Sequence, residues 1–307
     1  MSNIPKNSYQ LLKGPKEAPL LLMLPGMACG GSVFCEGVPH LIRHFNIVLF
    51  NNPGADGAPI DFGQGSAPLD VQHLAQAAQA VAEHVLNTEF TPHTPVYVVG
   101  HSMGGFVAQV LASSWPRVEK LVLMSTSLGG SENDRSFANF WLGVPPAADH
   151  TRNLFAMMLP EGATSETKDA VEAFFAARPI AEHALLKHFL CGARFSSLEF
   201  IRTVLCPTFV IHGEKDRVIS PEAARHMAEQ LAKARVWIVP EAGHLVFWQR
   251  PSVYDRMADF LLGDNTVGEA VHQQPEPNIF IKQQNQLWLQ ARKHITSLNT
   301  LLHTWGI

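Results

Sequence analysis

The stretch PVYVVGHSMGGFVAQVLASSWP, Pro95 to Pro116, runs a β-branched apolar segment through Gly-His-Ser-Met-Gly-Gly and straight into a helical apolar pattern. Three kinds of glycine loop compete for Gly100 to Gly105. A phosphate loop needs a lysine where Phe106 stands, and a dinucleotide fingerprint needs a glycine where Ser102 stands. What fits is a nucleophile elbow, in which small residues two before and two after the serine let a strand turn abruptly into a helix. Ser102 then takes a strained backbone and projects its hydroxyl at the helix N-terminus. Gly100 and Gly104 allow the turn, and Gly105 lets the helix approach the sheet.

A serine hydroxyl is a poor nucleophile near neutral pH, so a base must take its proton. Among 15 histidines, His244 in VPEAGHLVFWQRP follows a strand-like run and is preceded by Gly243. His101 inside the elbow and His212 at the end of a strand read as packing residues. The imidazole in turn needs a carboxylate to fix its tautomer. VIHGEKDRVIS supplies Asp216, with Glu214 as the fallback, whereas MSTSLGG after the preceding strand supplies none. An acyl-transfer oxyanion needs two preorganised donors. The N–H of Met103 is one, and MLPGMACGG points to Met27 as the other. The Met27 side chain also lines a candidate acyl pocket.

Short apolar runs alternate with helix-period segments, which predicts a mainly parallel sheet covered by helices on both faces. Strands are expected at 19–24, 46–50, 96–100, 120–125, 208–213 and 235–239, with 8–12 as a further edge strand. Helices are expected at 68–88, 103–115, 221–233 and 251–262, the last two opening on Pro221 and Pro251. Residues 127–200 break this rhythm, hold no convincing strand, and are too long for a loop. They read as an all-helical cap rich in Phe137, Phe140, Trp141, Phe155, Met157, Met158, Phe174 and Phe175. Of these, Phe140, Trp141, Phe155 and Met158, with Met27, are candidate substrate-binding residues; the competing reading makes the aromatics the cap's own core. The expected division is a core of 1–126 and 201–263, a cap of 127–200, and 264–307 as a linker and C-terminal amphipathic helix. In that helix Leu287, Ala291, Ile295, Leu298, Leu302 and Trp305 form a stripe. It packs on the chain's own surface or makes a homodimer or partner contact through 280–305.

Composition narrows the class. Hydrophobic residues make up 46% and charged residues 16%, enough for a sizeable core, and the net charge of -4 argues against a nucleic-acid binder. No run of ~18 apolar residues suggests a membrane span. Pro25 and Gly26 cut short the apolar run of the first strand, so it does not read as a signal peptide. A cytoplasmic protein is expected. The four cysteines show no CxxC pair and read as buried or free thiols. His183 and His188 lie five apart without a third ligand, so no metal site is expected, and no cofactor.

With these residues in place, the chain resembles an α/β-hydrolase fold enzyme with a helical cap, of the carboxylesterase or enol-lactonase kind. GHSMGG, GEKDRV and EAGH carry the resemblance over about 18–263. It implies a mostly parallel sheet of about seven or eight strands with Ser102, Asp216 and His244 as the triad, in that chain order. LPGM replaces the commoner His-Gly of the oxyanion loop. NNPGADG replaces Asp-Xaa-Arg-Gly-Xaa-Gly. The implied activity is cleavage of a small or medium ester, thioester or lactone through an acyl-enzyme. Carboxylesterases, enol-lactonases, acyl-carrier methyl-ester hydrolases, C–C bond hydrolases and cofactor-free perhydrolases share these motifs. Relatives with an aspartate nucleophile do not fit Ser102. The alternative is a non-catalytic ligand-binding or scaffold protein on the same fold.

Overall fold

In each central strand, alternate side chains belong to different cores, because successive Cβ atoms point to opposite faces of a sheet. The computed structural model describes residues 4–60, 69–130 and 157–271. Within it, Leu20, Leu22 and Leu24 join Val48, Phe50, Val98, Leu121, Leu123 and Val210 in one buried cluster. Leu21 and Met23 join Ile47, Leu49, Val99, Val122, Met124, Phe209 and Ile211 in the other. Burial on both faces is what the near-continuous apolar runs require.

Eight strands form one sheet in the order β1-β3-β2-β4-β5-β6-β7-β8. They are β1 Tyr9–Leu12, β2 Leu20–Leu24, β3 Asn46–Phe50, β4 Val96–His101, β5 Val118–Met124, β6 Thr208–Gly213, β7 Ala234–Val239 and β8 Glu269–Ala270. The six middle strands are parallel, and β1 and β8 pair antiparallel at the two edges. The 8–12 segment is therefore the edge strand expected of it. The eighth strand comes from the other end of the chain, from within the segment read as linker.

Helices cover both faces. α1 (Val71–Glu89) starts where the Asp70 side chain accepts from the His73 N–H, and its Leu74, Ala78, Val81 and Val85 join the first cluster. α2 (Met103–Ser114) and α5 (Pro221–Gln230) pack there too, α5 opening on Pro221 with Ser220 as its cap. On the opposite face α6 (Ser252–Leu262) contributes Val253, Tyr254, Met257 and Leu261. It ends on Gly263 in the left-handed region, at φ 113°. Pro251 caps α6 and does not occupy its first turn.

Between β5 and β6 the described residues include two long helices, α3 (Ser165–Ala176) and α4 (Glu182–Ala193), and a short 3-10 turn at Ile201–Thr203. Val171 and Phe175 of α3 enter the second cluster, and Phe174 meets Trp248 edge-on at 4.8 Å. The chain leaves and re-enters the core at one neck. Gly129 and Ser196 form an antiparallel bridge, flanked by Gly130 N–H to Phe195 O (2.9 Å) and Ser197 N–H to Leu128 O (2.8 Å). Gln109 of α2 ties the neck down, donating to Ser127 O and accepting from the Ser197 hydroxyl. Phe137, Phe140, Trp141, Phe155 and the 280–305 stripe lie outside the described residues. Among those described, no helix is long and apolar enough to cross a membrane.

The seating of α2 depends on its glycines. A Cβ on Gly104 would stand 2.1 Å from the Leu24 carbonyl oxygen, and one on Gly105 would stand 2.5 Å from Thr126 Oγ1. The Gly104 contact is with backbone, which cannot rotate away. Gly104→Ala is therefore expected to lower stability by about 2 kcal/mol or more, read as a reduced urea midpoint at unchanged slope. Gly162→Ala is the control: nothing lies within 4 Å of its Cβ, so it should stay within ~0.5 kcal/mol of the parent.

Candidate active site

Parallel strands deliver their following loops to the same sheet edge. Leu24, His101, Gly213 and Val239 end adjacent parallel strands or near neighbours, and the loops beyond them carry Met27, Ser102, Asp216 and His244. Sequence separations of over a hundred residues thereby collapse to contact.

Ser102 stands at the turn between β4 and α2 with φ 54° and ψ −120°. This is a costly conformation for a residue with a Cβ. Three contacts hold it there. The Ser102 N–H donates to Met124 O at 2.9 Å, continuing the β4–β5 pairing. The Ser102 carbonyl accepts from Thr126 Oγ1 at 2.8 Å and from the Gly105 N–H at 2.8 Å.

His244 Nε2 lies 3.0 Å from Ser102 Oγ, and His244 Nδ1 lies 2.8 Å from Asp216 Oδ2. Asp216 and His244 are buried, at 8% and 2% exposure, so their interaction is weakly screened. The other Asp216 oxygen accepts from the Val218 and Ile219 N–H groups at 2.8 and 3.0 Å. Burial opposes the charge on Asp216, but His244 and His212 outweigh it and hold the carboxyl well below its usual range. Glu214, the fallback, instead accepts from the Glu241 N–H on the surface.

The neighbouring histidines do more than fill space. His212 Nε2 lies 2.9 Å from Ile219 O and 3.1 Å from Asp216 Oδ2, so this ring reaches the carboxylate beside His244. His101 Nε2 lies 3.1 Å from the His244 carbonyl oxygen, while its ring stands edge-on to Phe247 at 4.9 Å. Burial, helped by His244, lowers the His101 pKa to about 3. A neutral His101 donates from Nε2 to that carbonyl and steadies the histidine loop.

The loop after β2, with Met27, sits directly against the β4–α2 turn. A Cβ on Gly26 would meet His101 Nδ1 at 3.0 Å and Ser102 Cβ at 3.1 Å. Met103 is the first residue of α2, where backbone N–H groups have no helical partner. The Met27 N–H likewise lacks a backbone partner among the described residues. The Met27 side chain packs partly buried against the first cluster. Met158 lies in the second cluster, and its carbonyl accepts from the His244 N–H at 2.9 Å and the Leu245 N–H at 3.3 Å. A cavity of about 680 Å³ opens beside the acid loop, lined by Pro160, Thr164, Asp216, Arg217 and Trp248 among others. It reaches Asp216 without reaching Ser102, so its volume alone does not describe an acyl pocket.

Two residues with no role in this site on sequence grounds, Asn52 and His188, grip the loop after β2. Asn52 Nδ2 reaches three of its carbonyl oxygens, those of Pro25, Gly26 and Cys29 at 3.2, 2.8 and 3.1 Å. His188 Nδ1 accepts from the Ala28 N–H at 3.2 Å. Burial lowers the His188 pKa to about 4, against partial compensation from the Pro53 carbonyl. The departure of NNPGADG from the family pattern was the only signal for Asn52.

A family model described as "Alpha/beta hydrolase family" matches residues 21–256. The chain belongs to this family and is a hydrolase. A pimeloyl-[acyl-carrier protein] methyl ester esterase of Nitrosospira multiformis is 27% identical over 253 residues, 78% of this chain and 92% of the relative. Monoacylglycerol lipase abhd6-B of Xenopus laevis is 24% identical over 83% of this chain and 79% of its own length. The crystal structure of the enol-lactonase from Burkholderia xenovorans LB400 superposes with a TM-score of 0.69 at 17% identity. The match covers 83% of this chain and 95% of that one, a likeness of fold.

His101 and His188 give stability a definite pH dependence. The unfolded chain protonates each near 6.5, whereas the folded chain does so only near 3 and 4. Between these limits the unfolded state binds more protons, so stability falls as pH is lowered through the window. Asp216 adds nothing to this slope, since its unfolded carboxyl titrates near 3.8 and its folded one lower still. Urea unfolding at pH 7 and pH 5 should show a loss of roughly 1–2 kcal/mol per histidine. His188→Gln should remove one histidine's share of that slope.

Proposed function

We propose that the protein is a serine hydrolase that cleaves a small or medium ester, thioester or lactone through an acyl-enzyme on Ser102. The observation that carries this reading is the continuous hydrogen-bonded chain from Ser102 Oγ through His244 to the buried Asp216 carboxylate. The names of the esterase and lipase relatives support the ester class of substrate.

In the acylation step His244 Nε2 takes the Ser102 proton as Oγ attacks the carbonyl carbon. Asp216 holds the Nδ1–H tautomer and stabilises the imidazolium that forms. The oxygen of the tetrahedral intermediate becomes anionic and is met by the Met27 and Met103 N–H groups, each already oriented before reaction. The imidazolium then protonates the departing alkoxide or thiolate, leaving the acyl group on Ser102. A water molecule, deprotonated by His244, attacks the acyl carbon, and collapse of the second intermediate returns the proton to Ser102.

The helical segment within 127–200 acts in this reading as a cap beside the reacting edge, with Met27, Phe140, Trp141, Phe155 and Met158 supplying or backing its apolar lining. The division into a core of 1–126 and 201–263, this cap and a 264–307 tail belongs to the same proposal, with Glu269–Ala270 of the tail joining the core sheet as its edge strand. So do a cytoplasmic setting and a homodimer or partner contact through 280–305.

A panel of p-nitrophenyl esters and lactones of increasing acyl length tests the activity and ranks the substrates. Ser102→Ala should lower kcat by on the order of 10⁴-fold or more, and Asp216→Asn by on the order of 10⁴-fold, with both variants folded. A fluorophosphonate should label wild type at one site and leave Ser102→Ala unlabelled. Equal turnover by wild type and Ser102→Ala would overturn the hydrolase reading of this serine and favour a binding role.

A further inference from the structure

The two peptide planes on either side of Met27 are each held by a buried side chain from a different part of the fold. The first plane joins Gly26 to Met27. Its carbonyl accepts from Asn52 Nδ2 at 2.8 Å. In a trans peptide the N–H points opposite to the C=O, so this bond turns the Met27 N–H away from Asn52. The second plane joins Met27 to Ala28. Its N–H donates to His188 Nδ1 at 3.2 Å, which directs the Met27 carbonyl away from His188. With both planes fixed, the φ and ψ of Met27 have little freedom.

The loop needs such restraint. Ala28 has φ 62°, a left-handed conformation disfavoured in a residue with a Cβ. The main backbone bond inside the turn, Cys29 N–H to Gly26 O, is long at 3.3 Å. Left to itself, such a turn gains by flipping a peptide. Asn52 is 2% exposed and His188 is fully buried, so neither exchanges its bonds readily for water. Their donor and acceptor roles are also complementary, since an amide N–H₂ collects carbonyls and an unprotonated imidazole nitrogen collects an N–H.

We propose that Asn52 and His188 are positioning residues which lock the Met27 N–H toward the reacting oxygen and thereby set the strength of the oxyanion hole. This rests on the assignment of Ser102 as nucleophile and Met27 as donor. Neither side chain touches the substrate. Their effect is transmitted through the loop backbone, and His188 transmits it from α4, between β5 and β6. An acyl group lodged against that helix and the oxyanion hole that stabilises its intermediate are thus joined by one hydrogen bond.

The test uses the full chain and an activated ester, with turnover normalised to active sites titrated by a fluorophosphonate. His188→Phe keeps the ring volume and removes the acceptor. It should lower kcat by about 10–100-fold at nearly unchanged KM, since orientation affects the transition state more than the ground state. An alkyl boronic acid, whose serine adduct is tetrahedral and anionic, should bind His188→Phe more weakly by a similar factor. His188→Asn places an amide oxygen near the Nδ1 position and should recover most of both losses. Asn52→Ala should reproduce the His188→Phe pattern, and the double variant should lose less than the product of the two. Wild-type kcat and boronic acid affinity per titrated site in His188→Phe and Asn52→Ala would overturn the clamp, whatever their thermal stability. So would a loss that His188→Asn fails to reverse. Turnover surviving in Ser102→Ala would instead remove the underlying assignment, and the clamp with it.

Discussion

Two glycines in the first turn of a helix lie against the ends of neighbouring strands, and the rest of the site depends on that contact. Gly104 approaches the Leu24 and Pro25 carbonyls so closely that a methyl group has no room. The approach seats the N-terminus of α2 on the end of β2. It therefore places the Met103 N–H beside the Met27 loop, and Ser102 at the sharpest point of the turn. The strained backbone of Ser102 is stable because pairing to Met124 and the Thr126 hydroxyl fix it from one side and the two cores bury the flanking elements. Strain of this kind persists only where the surroundings over-determine it.

Around that point the polar groups are arranged in layers. Ser102 bonds His244, which bonds Asp216, and Asp216 is held in turn by two backbone N–H groups and approached by His212. The His244 backbone is held by His101 at its carbonyl and by Met158 at its N–H. His101, His212, Asp216 and His244 are all buried, so the orientation of the groups behind Ser102 is set by the low-dielectric interior. Burial holds His101 and His188 neutral, and each thereby keeps a fixed role, His101 as donor to the His244 carbonyl and His188 as acceptor from the Ala28 N–H.

Much of this was legible in residue types and spacing. The buried parallel strands announce themselves by unbroken apolar runs, and the elbow by its small residues. Asp216 and His244 stand in the loops that directly follow two such runs, where backbone topology alone brings them to Ser102. What was not legible is made by long-range side-chain to backbone bonds. Asn52 serves carbonyls 23 to 27 positions away, and His188 an amide 160 positions away; neither leaves a periodic trace. His212 read as a packing residue because its position at a strand end says nothing about which carboxylate its ring meets. Glu269–Ala270 is too short to carry a strand pattern, and its pairing depends on the open edge that β7 offers.

The neck at Gly129 and Ser196 brings the two ends of the segment between β5 and β6 side by side at the core. β5 and β6 pair directly in the sheet, so their register is set by the strands themselves and not by the length of chain between the two sides of the neck. Beyond the neck the segment is still tied to the core, through Val171 and Phe175 in the second cluster, the Met158 carbonyl at the His244 N–H and His188 at the Ala28 N–H. A segment that kept the neck and these core contacts but brought no acceptor to the Ala28 N–H would leave one buried donor unanswered beside Met27.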